Sequence, residues 1–447
     1  MNTYLIQKKI IKQINNYNKS ISKKIDPSLS PYSYMTPWAE THGFYQLQKI
    51  LKRKDGFNSI LFFIKDLLVI SKNMNCLKLA GDTKKLQNRN YKTLIISYCQ
   101  KSSFRKGIFY DQYFNFSSEN KNFLWLLISL DNYLPKEKSK NIFIYYNKKS
   151  EKRFFILNYL IECFFKKRYN FNSFFHWNNS YFFFSESIKK VVNKILKATN
   201  IKKTILNYEG IPYQHGIINQ IKSNNKNIKI FCYLHCAGWP LQTDLLYRNR
   251  KIDKLYVSGF DQKKNLINHL SWPKKKIVNI PSLRFSKNFK SDFGGQIFIP
   301  FKVSDAELIS LKLKKFLGNA EDKSLNFFKL RIHPLNQRSK KHIDLKNNLL
   351  KILDIYKKKF SKKKKNTISI VFGSVTGITV QALESGVEII HFPIDFNIDV
   401  FNEIMWPNIK VENYYSDVLR YSLKKKNKTF WVKNTKPKFQ KYFGEIS

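Results

Sequence analysis

From about residue 90 onward, short apolar runs alternate with helical patterns, and this alternation restricts the fold more than any other feature of the sequence. KTLIISYC (92–99), NIFIYYN (141–147), KTILNYE (203–209), IKIFCYLH (228–235), KLYVSGF (254–260) and KIVNIPS (276–282) read as strands. ESIKKVVNKILKA (186–198) and FDQKKNLINHL (260–270) read as helices between them. Strands that are apolar on both faces need cover on both faces. Alternating with helices, they predict a parallel sheet sandwiched between helical layers.

LRFSKNFKSDFGG (283–295) interrupts the pattern with a polar stretch ending in Gly294-Gly295, and it reads as an interdomain linker. The alternation then restarts: strands at 296–301, 326–334, 367–374 and 387–395, and helices at 304–318 and 375–386. Ser304 and Glu307 have capping-box spacing at the start of the first of these helices, and Gly318 marks its end. The expected fold is α/β, with two doubly wound Rossmann-like domains in tandem. Residues 1–90 form a helical and loop part of the first domain, and residues 91–285 its Rossmann-like body. Residues 286–295 are the linker, 296–425 the second domain, and 426–447 a C-terminal segment returning to the first. FLWLLISL (123–130) and RFFILNYLIECFF (153–165) have the lengths of buried helices.

At 447 residues and 43% hydrophobic, the chain is long enough for two or three domains with real cores. The net charge of +50 points to polyanions: nucleic acid, an anionic membrane or phosphorylated substrates. Lysine far outnumbers arginine, and Asn, Ile, Phe and Tyr are abundant, as AT-rich coding produces. A reader of base edges would favour arginine, so a nucleic-acid-binding protein is the disfavoured alternative. The five cysteines include one C-x3-C pair, Cys232 and Cys236, without a second zinc-ligand pair. That pattern predicts no structural metal and suits a reducing cytoplasm. No run reaches the roughly 18 uncharged apolar residues of a membrane span, and the basic N-terminus lacks a secretory h-region. The expected location is therefore cytoplasmic, with peripheral attachment to the inner membrane face.

In open α/β sheets ligands bind beyond the carboxyl ends of the strands. Glu209-Gly210 ends one strand at a helix start. Glu209 is a candidate general base, or else a residue favouring the helix N-terminus, and Gly210 allows a sharp turn. His333-Pro334 ends another strand, where the imidazole can meet a phosphate oxygen. Gly373-Ser374-Val375-Thr376-Gly377 leads from a strand into a helix and forms an anion site of N–H groups and two hydroxyls. Glu384, about two turns into that helix, is in range of ribose hydroxyls or else has a solvated or capping role. His215 and His235 are alternative bases, and His42 in WAETHGF a candidate acceptor contact. His391 lies inside an apolar strand and reads as core.

The order of these motifs resembles glycosyltransferases of the GT-B architecture, in which two Rossmann-like domains face a cleft, and among them bacterial surface-polysaccharide and sialyl- or polysialyltransferase-like enzymes. Those carry an acidic-plus-glycine motif in the first domain, and an H-P motif and a Ser/Thr motif in the second. The resemblance covers roughly residues 200–400. Tyr208 stands where such enzymes often carry a second acidic residue, and Val375 separates the two hydroxyl residues. It implies metal-independent, inverting transfer from a nucleotide-activated sugar, with a CMP-linked nonulosonate first, to a glycan or glycolipid acceptor of surface polysaccharide, capsule or lipopolysaccharide, without a cofactor. A CDP-polyol phosphotransferase is the near alternative. No D-x-D motif follows a strand, which disfavours a metal-dependent GT-A enzyme.

Overall fold

The computed structural model describes residues 3–22, 77–86, 90–147, 180–236, 238, 240–247, 250–284, 293–301, 303–333, 336–361, 367–375, 377–394, 400–415, 417–424 and 439–444. The first part opens with helix α1 (Thr3–Ser22). Strands β1 (Leu77–Ala80), β2 (Thr93–Cys99), β3 (Phe104–Arg105), β4 (Ile108–Asp111), β5 (Phe116–Ser117), β6 (Phe123–Ser129) and β7 (Ile142–Asn147) follow. Then come α2 (Ser180–Lys197), β8 (Lys203–Asn207), α3 (Pro212–Asn224), β9 (Lys229–Tyr233), β10 (Lys254–Val257), α4 (Phe260–Asn268) and β11 (Ile277–Asn279).

The eight-stranded sheet has the order β1-β7-β6-β2-β8-β9-β10-β11, parallel throughout except for β1 against β7. The chain moves outward from β2 to β6 and β7, then returns to the other side of β2 with β8. Strand order therefore reverses between β2 and β8. In open α/β sheets, loops leaving such neighbours diverge to opposite faces, so a crevice is expected at their carboxyl ends. Every residue of β2 and β8 is buried, as continuous apolar runs in a doubly covered sheet require.

Residues 123–129 correct the sequence reading. They form β6, between β2 and β7, rather than a buried helix. A short run apolar on all sides fits either element, and only its pairing partners decide. The other run expected to be helical, 153–165, and the segment containing His42 lie outside the described residues. The small antiparallel sheet β3-β4-β5 was not anticipated. It is inserted between β2 and β6.

The second sheet comprises β12 (Gln296–Phe298), β13 (Lys329–Arg331), β14 (Ile368–Phe372), β15 (Glu388–Phe392), β16 (Ile409–Tyr415) and β17 (Val418–Leu423), with helices α5 (Ala306–Asn319), α6 (Lys340–Ile355) and α7 (Gly377–Glu384). Its order is β13-β12-β14-β15-β17-β16, four parallel strands closed by an antiparallel hairpin. Here the order reverses between β12 and β14. The α5 N-cap is Asp305, one residue later than the expected Ser304: its carboxylate accepts from the Leu308 N–H at 2.8 Å. That shift moves Glu307 off the capping-box position. Gly318 lies inside the last turn, which ends at Asn319.

The two sheets share one hydrophobic core through residues 400–409. Val400 and Asn402 bind the Gln7 side chain of α1, and both oxygens of Asp261 in α4 accept from Asn408. The Trp406 indole is fully buried and donates to the Pro240 carbonyl at 3.1 Å. A side chain at Gly238 would come within 2.3 Å of that ring, so the glycine makes room for it. At the other face of the first sheet, helix α8 (Phe439–Phe443) stacks Phe439 on Phe116 and sets Phe443 against Tyr256. The Lys203 ammonium donates to the Phe443 and Gly444 carbonyls, where a cation complements the helix end.

Trp406 thus anchors the segment joining the two sheets. Trp406→Ala is expected to cost about 3–5 kcal/mol of unfolding free energy, read as a lower urea midpoint. A loss below about 1 kcal/mol would mean that the joining segment is not anchored by this ring.

Candidate active site

The turn after β8 is built around one amide side chain. The backbone N–H groups of Glu209, Gly210 and Ile211 all donate to Gln214 Oε1, at 2.9, 3.0 and 3.3 Å. Gln214 Nε2 donates in turn to the Asn207 carbonyl at 2.8 Å and the Tyr98 hydroxyl at 3.0 Å. These N–H groups precede helix α3 and would otherwise be orphaned in a buried place. Pro212 opens the helix, where its missing N–H costs nothing. The Tyr213 hydroxyl donates to Tyr98 at 2.6 Å. Burial, and then the adjacent Tyr213, push the Tyr98 phenol well above its ordinary value, so it remains a neutral hydrogen-bonding group.

Gly210 has φ of +79°, and a Cβ there would stand 2.1 Å from the Asp244 carbonyl oxygen. The turn therefore needs glycine for both its backbone conformation and its packing. His215, read from the sequence as an alternative base, is buried with Nε2 3.0 Å from the Gly210 carbonyl. It supports the turn from behind.

The turn presents Glu209 toward the start of the loop after β9. The carboxylate is 6% exposed. Its Oε1 lies 3.0 Å from His235 Nε2 and 3.7 Å from Cys236 Sγ. Burial holds the His235 imidazole below its ordinary value, although Glu209 pulls the other way. Burial thus favours the neutral ring, whose Nε2–H donates a hydrogen bond to the carboxylate. Tyr113, from the β4–β5 turn, sets its ring edge-on to His235 at 4.3 Å, and the Arg284 guanidinium lies 5.0 Å over Tyr113. The inserted small sheet therefore contributes to the crevice where strand order reverses.

Glu209, Gly210 and His235 come together because neighbouring parallel strands bring residues distant in sequence to the same sheet edge. Gln214, Tyr98, Tyr113 and Arg284 were not singled out in the sequence, and Cys236 was noted only for its C-x3-C spacing. Gln214 carried a usable signal, since it falls three residues after Ile211, the last residue before the helix, where Gln and Glu cap backwards. Cys232 and Cys236 do not join despite their C-x3-C spacing: Cys232 is in the core. Instead Cys236 completes a carboxylate, imidazole and thiol trio whose donor atoms lie within 4.8 Å of one another.

On the second sheet, His333 follows β13 and Gly373-Ser374 follow β14, so they share the carboxyl edge. β12 stands between their strands, a separation of two strand spacings, roughly 9–10 Å. They flank a groove instead of meeting at a point. His333 is half-buried, its ring 5.0 Å from Phe301; burial and the neighbouring His342 lower its pKa. Gly373 has φ of +71°, and its carbonyl accepts from His391 Nε2. Gly377 begins α7 and Glu384 ends it, about 10 Å further along the axis. Pro334 and Thr376 lie outside the described residues.

No family model and no curated protein matches this sequence. Among solved structures, the chain is similar to a glycosyltransferase from Rickettsia africae ESF-5, with 12% identity and a TM-score of 0.32 over 69% of this chain and 83% of that one. It is also similar to the wall teichoic acid polymerase TagF. One TagF structure, soaked with CDPG, has 11% identity and a TM-score of 0.31 over 77% of this chain and 79% of that one. Another has 11% identity and a TM-score of 0.28 over the same shares, 77% and 79%.

Gly210→Ala is expected to cost roughly 2–5 kcal/mol, from a left-handed backbone and from overpacking. Denaturant titration measures it, and a change under about 1 kcal/mol would rule out the tight turn. His391 generates a pH dependence. Fully buried, it receives a hydrogen bond at 2.8 Å from the Tyr421 hydroxyl, and burial lowers its pKa to about 4. The unfolded chain, with an ordinary value near about 6.5, takes up the proton first. Its contribution is whole above about pH 6.5 and lost as pH falls toward about 4, on the order of 3 kcal/mol. Unfolding free energies across pH 4–7 should be steeper for the wild type than for His391→Asn; equal slopes would exclude this coupling.

Proposed function

We propose that the protein is a glycosyltransferase of GT-B type that moves a sugar from a nucleotide-activated donor to a glycan or glycolipid acceptor, with inversion at the anomeric carbon. The observation that carries this reading is the buried Glu209 carboxylate, hydrogen-bonded to His235 at the crevice where the strand order of the first sheet reverses. A general base must sit within hydrogen-bond reach of the proton it takes, with its orientation held by a further group. Gln214 holds the Glu209 backbone, and His235 holds one carboxylate oxygen. Both contacts to His235 and Cys236 fall on Oε1, so Oε2 is the oxygen assigned to the acceptor proton.

In this mechanism the acceptor hydroxyl oxygen attacks the anomeric carbon, and the bond from that carbon to the donor phosphate breaks. The electron pair leaves with the nucleotide, and the hydroxyl proton passes to Glu209. Negative charge then grows on the phosphate. The Gly373-Ser374 turn, the start of α7 and His333 supply N–H, hydroxyl and imidazole donors along one edge of the second sheet, a groove suited to a phosphate and its nucleoside. A CMP-linked nonulosonate is the first donor to test, because the motif order resembles enzymes of surface-polysaccharide synthesis. With a CDP-polyol, the second, the acceptor oxygen would instead attack the β-phosphorus, the β-phosphorus–oxygen bond to CMP would break, and the polyol phosphate would be transferred. No helix among the described residues is long and apolar enough to cross a membrane. The lysine excess suits electrostatic attachment to an anionic membrane carrying a lipid-linked acceptor.

A thermal-shift screen of CMP, CDP, UDP and GDP identifies the nucleotide, since a ligand of the folded form alone raises apparent stability. With that donor, Glu209→Gln is expected to lower kcat by roughly 10²–10⁴ and leave nucleotide affinity unchanged. His333→Ala should weaken nucleotide binding. Full turnover in the Gln variant would remove Glu209 from the chemistry.

A further inference from the structure

We propose that Glu209, His235 and Cys236 form a three-donor site for a thiophilic divalent cation such as Zn²⁺, and that this ion reversibly blocks the base. The second half rests on the reading of Glu209 given above. The first rests on geometry alone. The three donors come from two adjacent strand ends, β8 and β9, and lie within 4.8 Å of one another.

A tetrahedral zinc ion has bonds of about 2.0–2.1 Å to nitrogen, about 2.0–2.2 Å to carboxylate oxygen and about 2.3 Å to sulfur. Its donors therefore stand about 3.4 Å apart for N···O and about 3.6 Å for S···O. The structure has 3.0 Å between His235 Nε2 and Glu209 Oε1, and 3.7 Å between Cys236 Sγ and the same oxygen. The sulfur–oxygen separation already matches, the imidazole would retreat from the oxygen by about 0.4 Å, and sulfur and imidazole, within 4.8 Å of each other, would close toward the roughly 3.6 Å of a shared ion. Glu209 and His235 are buried, while Cys236 is half-buried and marks the side from which an ion enters. Three protein donors leave a fourth position open.

One thiolate and one imidazole select zinc or cobalt over magnesium, which prefers six oxygens. Binding is balanced by proton movement. The Cys236 proton leaves to solvent, and the proton on His235 Nε2 is replaced by one on Nδ1. That nitrogen is buried without a hydrogen-bond partner among the described residues. Resident metal sites usually give this second nitrogen an acceptor. Its absence here weakens the site and suits an ion that comes and goes. A bound ion would take up the Glu209 carboxylate and so compete with the acceptor.

Titration of the full-length protein with Co²⁺ reads the site directly, because a thiolate–cobalt bond gives a near-ultraviolet charge-transfer band and four-coordination gives intense visible bands. The expected result is a charge-transfer band that saturates, that Zn²⁺ displaces and that excess Mg²⁺ leaves alone. Cys236→Ser should abolish it, and His235→Gln should weaken cobalt binding roughly tenfold or more. If Cys236→Ser fails to fold, by circular dichroism, the near-isosteric Glu209→Gln serves instead, retaining the band with weaker affinity. No band at saturating Co²⁺, or a band unchanged in folded Cys236→Ser, overturns the cation site. Because absorbance needs no turnover, that failure leaves the general-base reading standing. A fully active Glu209→Gln overturns the general-base reading whatever the absorbance shows.

Discussion

The acceptance of three successive N–H groups by the Gln214 side chain is the contact on which the crevice of the first sheet depends. A chain leaving a buried strand and entering a buried helix has unpaired donors at the join, with no water to satisfy them. Gln214 removes that penalty with one oxygen, and its amide nitrogen ties the join to Asn207 and Tyr98. The turn is then tight enough to need glycine at position 210, and rigid enough to aim Glu209 at His235. A carboxylate aimed by backbone geometry holds its orientation, as the proposed role of Glu209 in proton transfer would require.

The second sheet solves the same problem with a different group. His391 lies inside β15, yet its Nε2–H reaches the Gly373 carbonyl at the end of β14. The Tyr421 hydroxyl holds the opposite ring nitrogen. A core histidine thus fixes the turn that leads into α7. Both sheets place a glycine with positive φ directly beyond a strand at or beside the reversal of strand order. Backbone donors and short side chains concentrate there because the diverging loops leave room. Residues 400–409 join the sheets through Trp406 and the Asp261–Asn408 pair, so neither turn is isolated from the other's framework.

Much of this was legible in the residue pattern where the pattern is local. The parallel strands announced themselves as apolar runs between helices, and Gly210 and Gly373 as breaks where strands meet helices. The failures are equally physical. Residues 123–129 read as a helix because a run apolar on every side has no periodicity to betray it; β2 and β7 on either side make it a strand. The α5 cap moved from Ser304 to Asp305 because either side chain fits an N-cap and the first turn decides between them. The β16–β17 hairpin carried only a short alternation, in IKVE and LRYSL, and burial along its strands does not alternate.

The sequence by itself determined that this is an α/β chain of two parallel-sheet units, and that Glu209 and Gly210 stand where a strand opens into a crevice. Those conclusions follow from periodicity and turn chemistry, which act over a few residues. Only the tertiary structure decided that His235, not His215, meets Glu209, that Cys236 joins them, and that Tyr113 comes from a separate small sheet to flank the pair. Strand order decides these contacts. β8 and β9 are neighbours through parallel pairing across a helical crossover, so residues 26 and 27 positions from Glu209 arrive beside it. Nothing in the spacing of Glu209, His235 and Cys236 along the chain encodes that arrival; it comes from the hydrogen-bond register of the sheet.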